Sequence, residues 1–216
     1  MCEIIPGILE KDWSEIEKKL KIAKSFAKSV HIDIADGKFA PNTTFLDPDP
    51  FSKYTKELFF EVHMMVENPM QYLEPFAKAG FKRFIGQIEK MPDQTKFIAK
   101  AKSLGEVGLA IDGPTSLDSI KVSYQDLDCV LIMAIKAGQS GQVFNPNCLK
   151  KVEMLKQVQH DMKIEIDGGI NDKTILLAKN SGVNRFISTS FIFGADPALN
   201  LVPQEQYNLL KAIAER

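Results

Sequence analysis

Eight short apolar runs separated by amphipathic or loop-forming stretches restrict the fold of this chain more than any other feature. The strand-like runs are Glu3–Leu9, Val30–Ile34, Leu58–Met64, Arg83–Gln87, Val107–Ile111, Cys129–Ala134, Lys163–Asp167 and Arg185–Thr189. Between and after them, helical spacing covers Asp12–Ala27, Met70–Ala79, Gln94–Leu104, Leu117–Val122, Asn147–Gln157, Asp172–Asn180 and Ala198–Ala214. Trp13, Ile16, Leu20 and Ala23 recur every three to four residues, the period of a helix with one buried face. The segment from Ala35 to Tyr54 is the exception, a Pro/Asn/Asp-rich loop with room for a short helix at most. Asn68-Pro69 is a helix start, and Gly80 and Gly182 are placed where helices end in a left-handed residue. Strands of about five apolar residues joined by helices are buried on both faces and pair in parallel. Eight such units in 216 residues predict an α/β fold, a single (β/α)8 TIM barrel over 1–216, since a doubly wound sheet uses fewer strands.

Composition narrows the partners. With 27 Lys+Arg against 28 Asp+Glu, the chain has no basic excess for nucleic acid or for a membrane surface. No stretch reaches the roughly 20 apolar residues of a membrane span, and the N-terminus lacks the pattern of a signal peptide. Cys2, Cys129 and Cys148 are scattered without metal or redox spacing, which fits a reduced, cytoplasmic setting. Apolar helix residues such as Phe76 and Phe81 are read as core; a homo-oligomer is compatible with them.

Chemistry concentrates in four residues. His31 and Asp33 are one residue apart in a strand, so both side chains point the same way. His63 and Asp167 end two further strand-like runs, the latter just before Gly168-Gly169. In a parallel barrel, strand C-termini surround one pocket, so all four converge on one mouth. Two imidazoles and two carboxylates suit one divalent metal ion, Zn2+, Fe2+, Mn2+ or Co2+, with positions left for substrate oxygens. Positive charge beside a ketone makes its α-proton acidic through an enediolate. Asp33 and Asp167, one on each face of that planar species, would remove a proton from one side and return it on the other. The outcome is inversion at one carbon without a redox cofactor.

The chain resembles the ribulose-phosphate 3-epimerase family over nearly its whole length. The resemblance is carried by His31-Ile32-Asp33-Ile34-Ala35-Asp36-Gly37-Lys38-Phe39-Ala40-Pro41-Asn42, Val62-His63-Met64-Met65-Val66-Glu67-Asn68-Pro69, Gly108-Leu109-Ala110, Gly138-Gln139-Ser140-Gly141-Gln142-Val143-Phe144 and Glu165-Ile166-Asp167-Gly168-Gly169-Ile170-Asn171. It implies a (β/α)8 barrel, a phosphorylated ketose substrate, metal ligation by His31, Asp33, His63 and Asp167, and acid/base roles for Asp33 and Asp167. It also implies that Gly7, Met65, Gly138, Gln139, Ser140, Gly141, Gly168, Gly169, Thr189 and Ser190 surround the substrate.

Several positions depart from the family pattern. Gly7 stands where the family has Ser, Ala35 where it has Met, and Gln87 where it has His. Asp112-Gly113-Pro114 replaces an Asn-Pro-Gly turn, and Ala137–Gly141 replaces Pro-Gly-Phe-Gly-Gly. Thr189-Ser190 replaces Gly-Ser after the last strand. The expected activity is C3 epimerisation of D-ribulose 5-phosphate. The alternatives are a ketohexose phosphate of the allulose 6-phosphate type or a sugar-phosphate-binding barrel without catalysis.

Overall fold

A computed structural model of the chain describes residues 2–138, 141–194 and 202–216. Eight parallel strands close into a barrel in sequence order, β1 pairing with β8. They are β1 (Glu3–Ile8), β2 (Ser29–Ala35), β3 (Phe59–Met65), β4 (Arg83–Gln87), β5 (Glu106–Ile111), β6 (Cys129–Met133), β7 (Ile164–Asp167) and β8 (Arg185–Ser188). The helices are α1 (Trp13–Ala23), α2 (Met70–Ala79), α3 (Gln94–Lys102), α4 (Leu149–Val158), α5 (Ile175–Asn180), α6 (Ser190–Phe193) and α7 (Pro203–Ala214).

Strand alternation divides the apolar side chains into two layers. Ile4, Val30, Ile32, Val62, Leu109, Ile132, Ile166 and Phe186 point outward and pack beneath the helices. Ile5, Ala35, Met65, Ile85, Ala110, Leu131, Met133 and Ile187 point inward and pack together inside the barrel. Every residue of β2 is buried, as a strand covered on both sides must be.

The expected helix boundaries hold where a specific residue stops the chain. Asn68 Oδ1 accepts the Met70 N–H ahead of α2, and Gly80 closes that helix at φ +103°. Helix α7 has Pro203 in its first turn, and Glu205 accepts the Val202 N–H. The first residues of the helix expected over Ala198–Ala214 lie outside the described residues.

Two crossings differ from a full helix. Between β2 and β3 a 3-10 turn, Asp49–Lys53, inserts Phe51 against Phe60 and Phe81, so one aromatic anchor covers the strands there. The helix expected over Leu117–Val122 is a 3-10 turn at Leu117–Ser119, followed by another at Tyr124–Asp126. Ser116 and Ser123 each accept a backbone N–H two residues ahead, at 3.3 Å. Such local bonds compete with helix propagation, and Leu117, Ile120 and Leu127 still bury their side chains.

Candidate active site

His31 and Asp33 on β2, His63 on β3 and Asp167 at the end of β7 all face inward and are buried. One donor atom from each lies within 4.8 Å of the others. The β2–β3 register sets Asp33 beside His63, with His63 Nδ1 3.0 Å from Asp33 Oδ1. His31 Nε2 approaches the same oxygen at 3.3 Å.

Both imidazoles are held from behind. Glu61 Oε1 lies 2.6 Å from His31 Nδ1; a carboxylate only accepts, so Nδ1 carries a proton and Nε2 is the nitrogen turned to Asp33. Gln87 Oε1 lies 2.7 Å from His63 Nε2, while the Gln87 amide nitrogen donates to Glu89 at 2.8 Å. That second bond orients the amide, so His63 donates through Nε2 and turns the Nδ1 lone pair to Asp33. His31 Nε2 is buried without a hydrogen-bond partner among the described residues. An orphaned nitrogen of this kind costs about 1–3 kcal/mol unless something meets it. Two imidazole nitrogens converging with two carboxylates fit a divalent cation of the zinc, iron, manganese or cobalt type.

The two acids sit in opposed electrostatic settings. Burial alone would push the Asp33 carboxyl up, but His31 and then His63 overcome it and hold Asp33 well below the usual carboxylate range. Asp167 has no such contact. Burial, followed by the nearby Asp33 charge, raises it to about 7. Burial works against the charge on His31, yet Asp33 and then Glu61 keep its imidazole well above the ordinary value. A pair of acids pushed in opposite directions is the usual mark of divided proton-transfer roles.

Above the quartet opens a narrow cleft at the mouth of the barrel. Asp33 and Asp167 line it together with Leu9, Met65, Met133, Ile135, Ile170, Ile187, Gly138, Gly141, Gly168, Gly169, Thr189 and Ser190. His31 and His63 lie beneath, fully buried. Gly168 and Gly169 adopt φ of +107° and +69°, and a Cβ on Gly169 would sit 2.9 Å from the Phe144 backbone nitrogen. Only glycine lets the chain turn this close to the neighbouring loop. Thr174 Oγ1 and Ser188 Oγ donate to the Gly169 and Ile170 carbonyls at 2.8 and 2.9 Å, fixing that turn. Asn42 donates to the Gly138 carbonyl at 3.0 Å, tying the loop after β2 to the loop after β6. Gly7 is not among the lining residues, because the Thr189 side chain occupies the space over it. Gln139 and Ser140 lie outside the described residues.

Likeness to known proteins places this barrel, with two buried acids and two histidines at its mouth, among the sugar-phosphate isomerases. The sequence pattern of the ribulose-phosphate 3 epimerase family matches residues 3–193. Ribulose-phosphate 3-epimerase of Schizosaccharomyces pombe is 31% identical, over 98% of this chain and 95% of its own. The Bacillus subtilis protein of that name is 32% identical, over 90% of this chain and 93% of its own. The chain belongs to the ribulose-phosphate 3-epimerase family and is an isomerase acting on a phosphorylated sugar. Among solved structures, 3-hexulose-6-phosphate synthase from Salmonella typhimurium superposes with a TM-score of 0.72 at 10% identity, covering 99% of this chain and 98% of its own. At that identity only the fold is shared. No helix among the described residues is long and apolar enough to cross a membrane.

Sequence reasoning missed the supports of the site. Glu61 precedes His63 by two residues and so shares its inward face, a signal the alternation carried. Gln87 was visible only as a departure. Met133, Ile135 and Leu9, which wall the cleft, sit in ordinary apolar runs and carry no such mark.

Proposed function

We propose that this protein inverts C3 of a ketose phosphate, foremost D-ribulose 5-phosphate to D-xylulose 5-phosphate, with Asp33 and Asp167 as the proton-transfer pair. The observation that carries this reading is the convergence of those two carboxylates, from β2 and β7, at the base of one small cleft. One divalent cation held by His31, Asp33, His63 and Asp167 would supply positive charge against the oxygens of the developing enediolate. One carboxylate takes the C3 proton; the C–H electron pair moves toward C2 and the carbonyl oxygen takes the charge. The other carboxylate, as an acid, delivers a proton to the opposite face of C3, and the carbonyl re-forms. Nothing is oxidised or reduced overall. Backbone amides around Gly141, Gly169 and Ser190, at the outer wall of the cleft, suit the phosphate group. Met65, Met133 and Ile187 keep the sugar side of the cleft apolar and limit water access.

The test is proton exchange in deuterated water. Protein loaded separately with Zn2+, Fe2+, Mn2+ or Co2+ is offered D-ribulose 5-phosphate and D-allulose 6-phosphate. Deuterium at C3 together with inversion is the expected result, faster with the pentulose. Faster turnover of the hexulose would replace the substrate. Absence of exchange with every metal and both sugars would remove the two-carboxylate reading.

A further inference from the structure

The inward face of β8 carries Arg185, Ile187 and, one step beyond the strand, Thr189; that of β1 carries Glu3, Ile5 and Gly7. β1 and β8 are hydrogen-bonded neighbours, with Ile5 beside Ile187 and Pro6 beside Ser188. Gly7 and Thr189 are therefore adjacent at the mouth of the barrel. A Cβ built on Gly7 would lie 2.2 Å from Thr189 Oγ1 and 2.9 Å from Ile187 Cγ2. That separation is far inside van der Waals contact, so the threonine side chain fills the place where a β1 side chain would stand. Thr189 Oγ1 has no hydrogen-bond partner among the described residues, and Thr189 lines the same cleft as Asp33 and Asp167. A hydroxyl lying over a neighbouring strand, unspoken for and in the same cleft as two carboxylates, is placed to meet a ligand's oxygen.

We infer that Thr189 supplies a substrate-contacting hydroxyl at the β1 side of the cleft, and that Gly7 is bare in order to admit it. This rests on the ketose-phosphate reading given above. The group it meets is a hydroxyl or carbonyl oxygen of the sugar, since on the β1 side Thr189 Oγ1 lies over Gly7 and beside Ile187, with Leu9 also lining the cleft. The changes at positions 7 and 189 are then one exchange between neighbouring strands: a hydroxyl moved from β1 to β8, and the bare backbone moved the other way.

The experiment is a double-substitution cycle on the metal-loaded protein, with D-ribulose 5-phosphate and D-allulose 6-phosphate as substrates. Thr189→Val keeps the shape and removes the hydroxyl. It is expected to lower kcat/KM by roughly 10- to 100-fold, the cost of one lost hydrogen bond to substrate, with metal content and Tm unchanged. Gly7→Ser alone meets Thr189 and lowers Tm. Gly7→Ser with Thr189→Gly returns a hydroxyl to the same space from β1, and it recovers most of the kcat/KM lost in Thr189→Gly. A Thr189→Val protein within about twofold of the parent would overturn the inference while the parent's own turnover left the epimerase reading standing. So would a double variant no better than Thr189→Gly. A parent that turns over neither sugar removes both.

Discussion

Two clusters of acids and histidine share the interior of this barrel, one at its mouth and one at its floor, and they differ in how their charge is met. At the mouth, Asp33, Asp167, His31 and His63 converge, and no Lys or Arg is among the described residues lining the cleft. On the floor, His31 also closes a second group with Glu61 and Glu165. There two arginines stand in register with the acids. Glu61, Arg83 and Glu106 align across β3, β4 and β5, and Glu165, Arg185 and Glu3 align across β7, β8 and β1. Arg83 pairs with Glu61, with Glu106 at 2.8 Å and with Glu165 at 3.5 Å. Arg185 reaches Glu165 at 2.8 Å and Glu3 at 3.3 Å.

The contrast separates a structural cluster from a chemical one. Buried carboxylates whose cations are built into neighbouring strands have their charge met within the fold, although Glu165 Oε2 makes no hydrogen bond among the described residues. Buried carboxylates without such partners are expensive alone, and an orphaned imidazole nitrogen beside them adds to the cost. The mouth therefore suits a cation from outside, whereas the floor already holds two arginines of its own. His31 joins the two: its Nδ1 belongs to the floor through Glu61, and its Nε2 belongs to the mouth.

That division can be broken from either side. The largest effect is expected at the mouth. Asp167→Asn should lower kcat by about 10^2- to 10^4-fold, the range for removing a general acid–base group, with Tm retained. If the variant keeps near-parental turnover, Asp167 is not one of the two proton-transfer groups. Next comes the floor. Arg83→Met leaves Glu61 and Glu165 short of a cation and should cost about 3–5 kcal/mol of stability, read as a fall in Tm. Its metal content at saturation should stay at the parental level; loss of metal there would merge the two clusters.

Glu61→Gln tests the residue between them. The amide can still accept from His31 Nδ1 but loses the charge, so metal affinity should fall about 10- to 100-fold, as for other carboxylates behind a ligating histidine. Calorimetric titration with Zn2+ checks this, and unchanged affinity would detach Glu61 from the site. The smallest effect is a pH slope in the metal-free protein. Asp167 is raised from 3.8 to about 7 in the folded state, so folding binds a proton that the unfolded chain releases between those values. This residue's contribution then declines as pH climbs from about 4 to 7. The Tm of the metal-free protein should fall across that window, and Asp167→Asn should make the fall shallower. A variant with the parental slope would return Asp167 to an ordinary carboxyl.

How much was legible beforehand depends on the reach of each signal. His31-Ile32-Asp33 shows its shared face within three residues, because strand alternation is a local rule. Glu61-Val62-His63 carries the same signal, but the Glu61 lock on His31 is not legible in it, since the partner lies 30 residues away on β2. The helix expected at Leu117–Val122 had the right apolar spacing but two serines that capture the backbone locally. The hydroxyl missing at Gly7 and the side chain gained at Thr189 read as unrelated in a chain where 182 positions separate them.

The sequence by itself determined the alternation, the strand faces and the identity of the four clustered residues, since each follows from spacing of a few residues. Tertiary structure alone decided which faces meet. Closure of β1 onto β8 brought Thr189 over Gly7, and the strand register lined Glu61, Arg83 and Glu106 into one row. Those pairings are properties of register and closure, which are set by packing of the whole barrel and are written in no single stretch of chain.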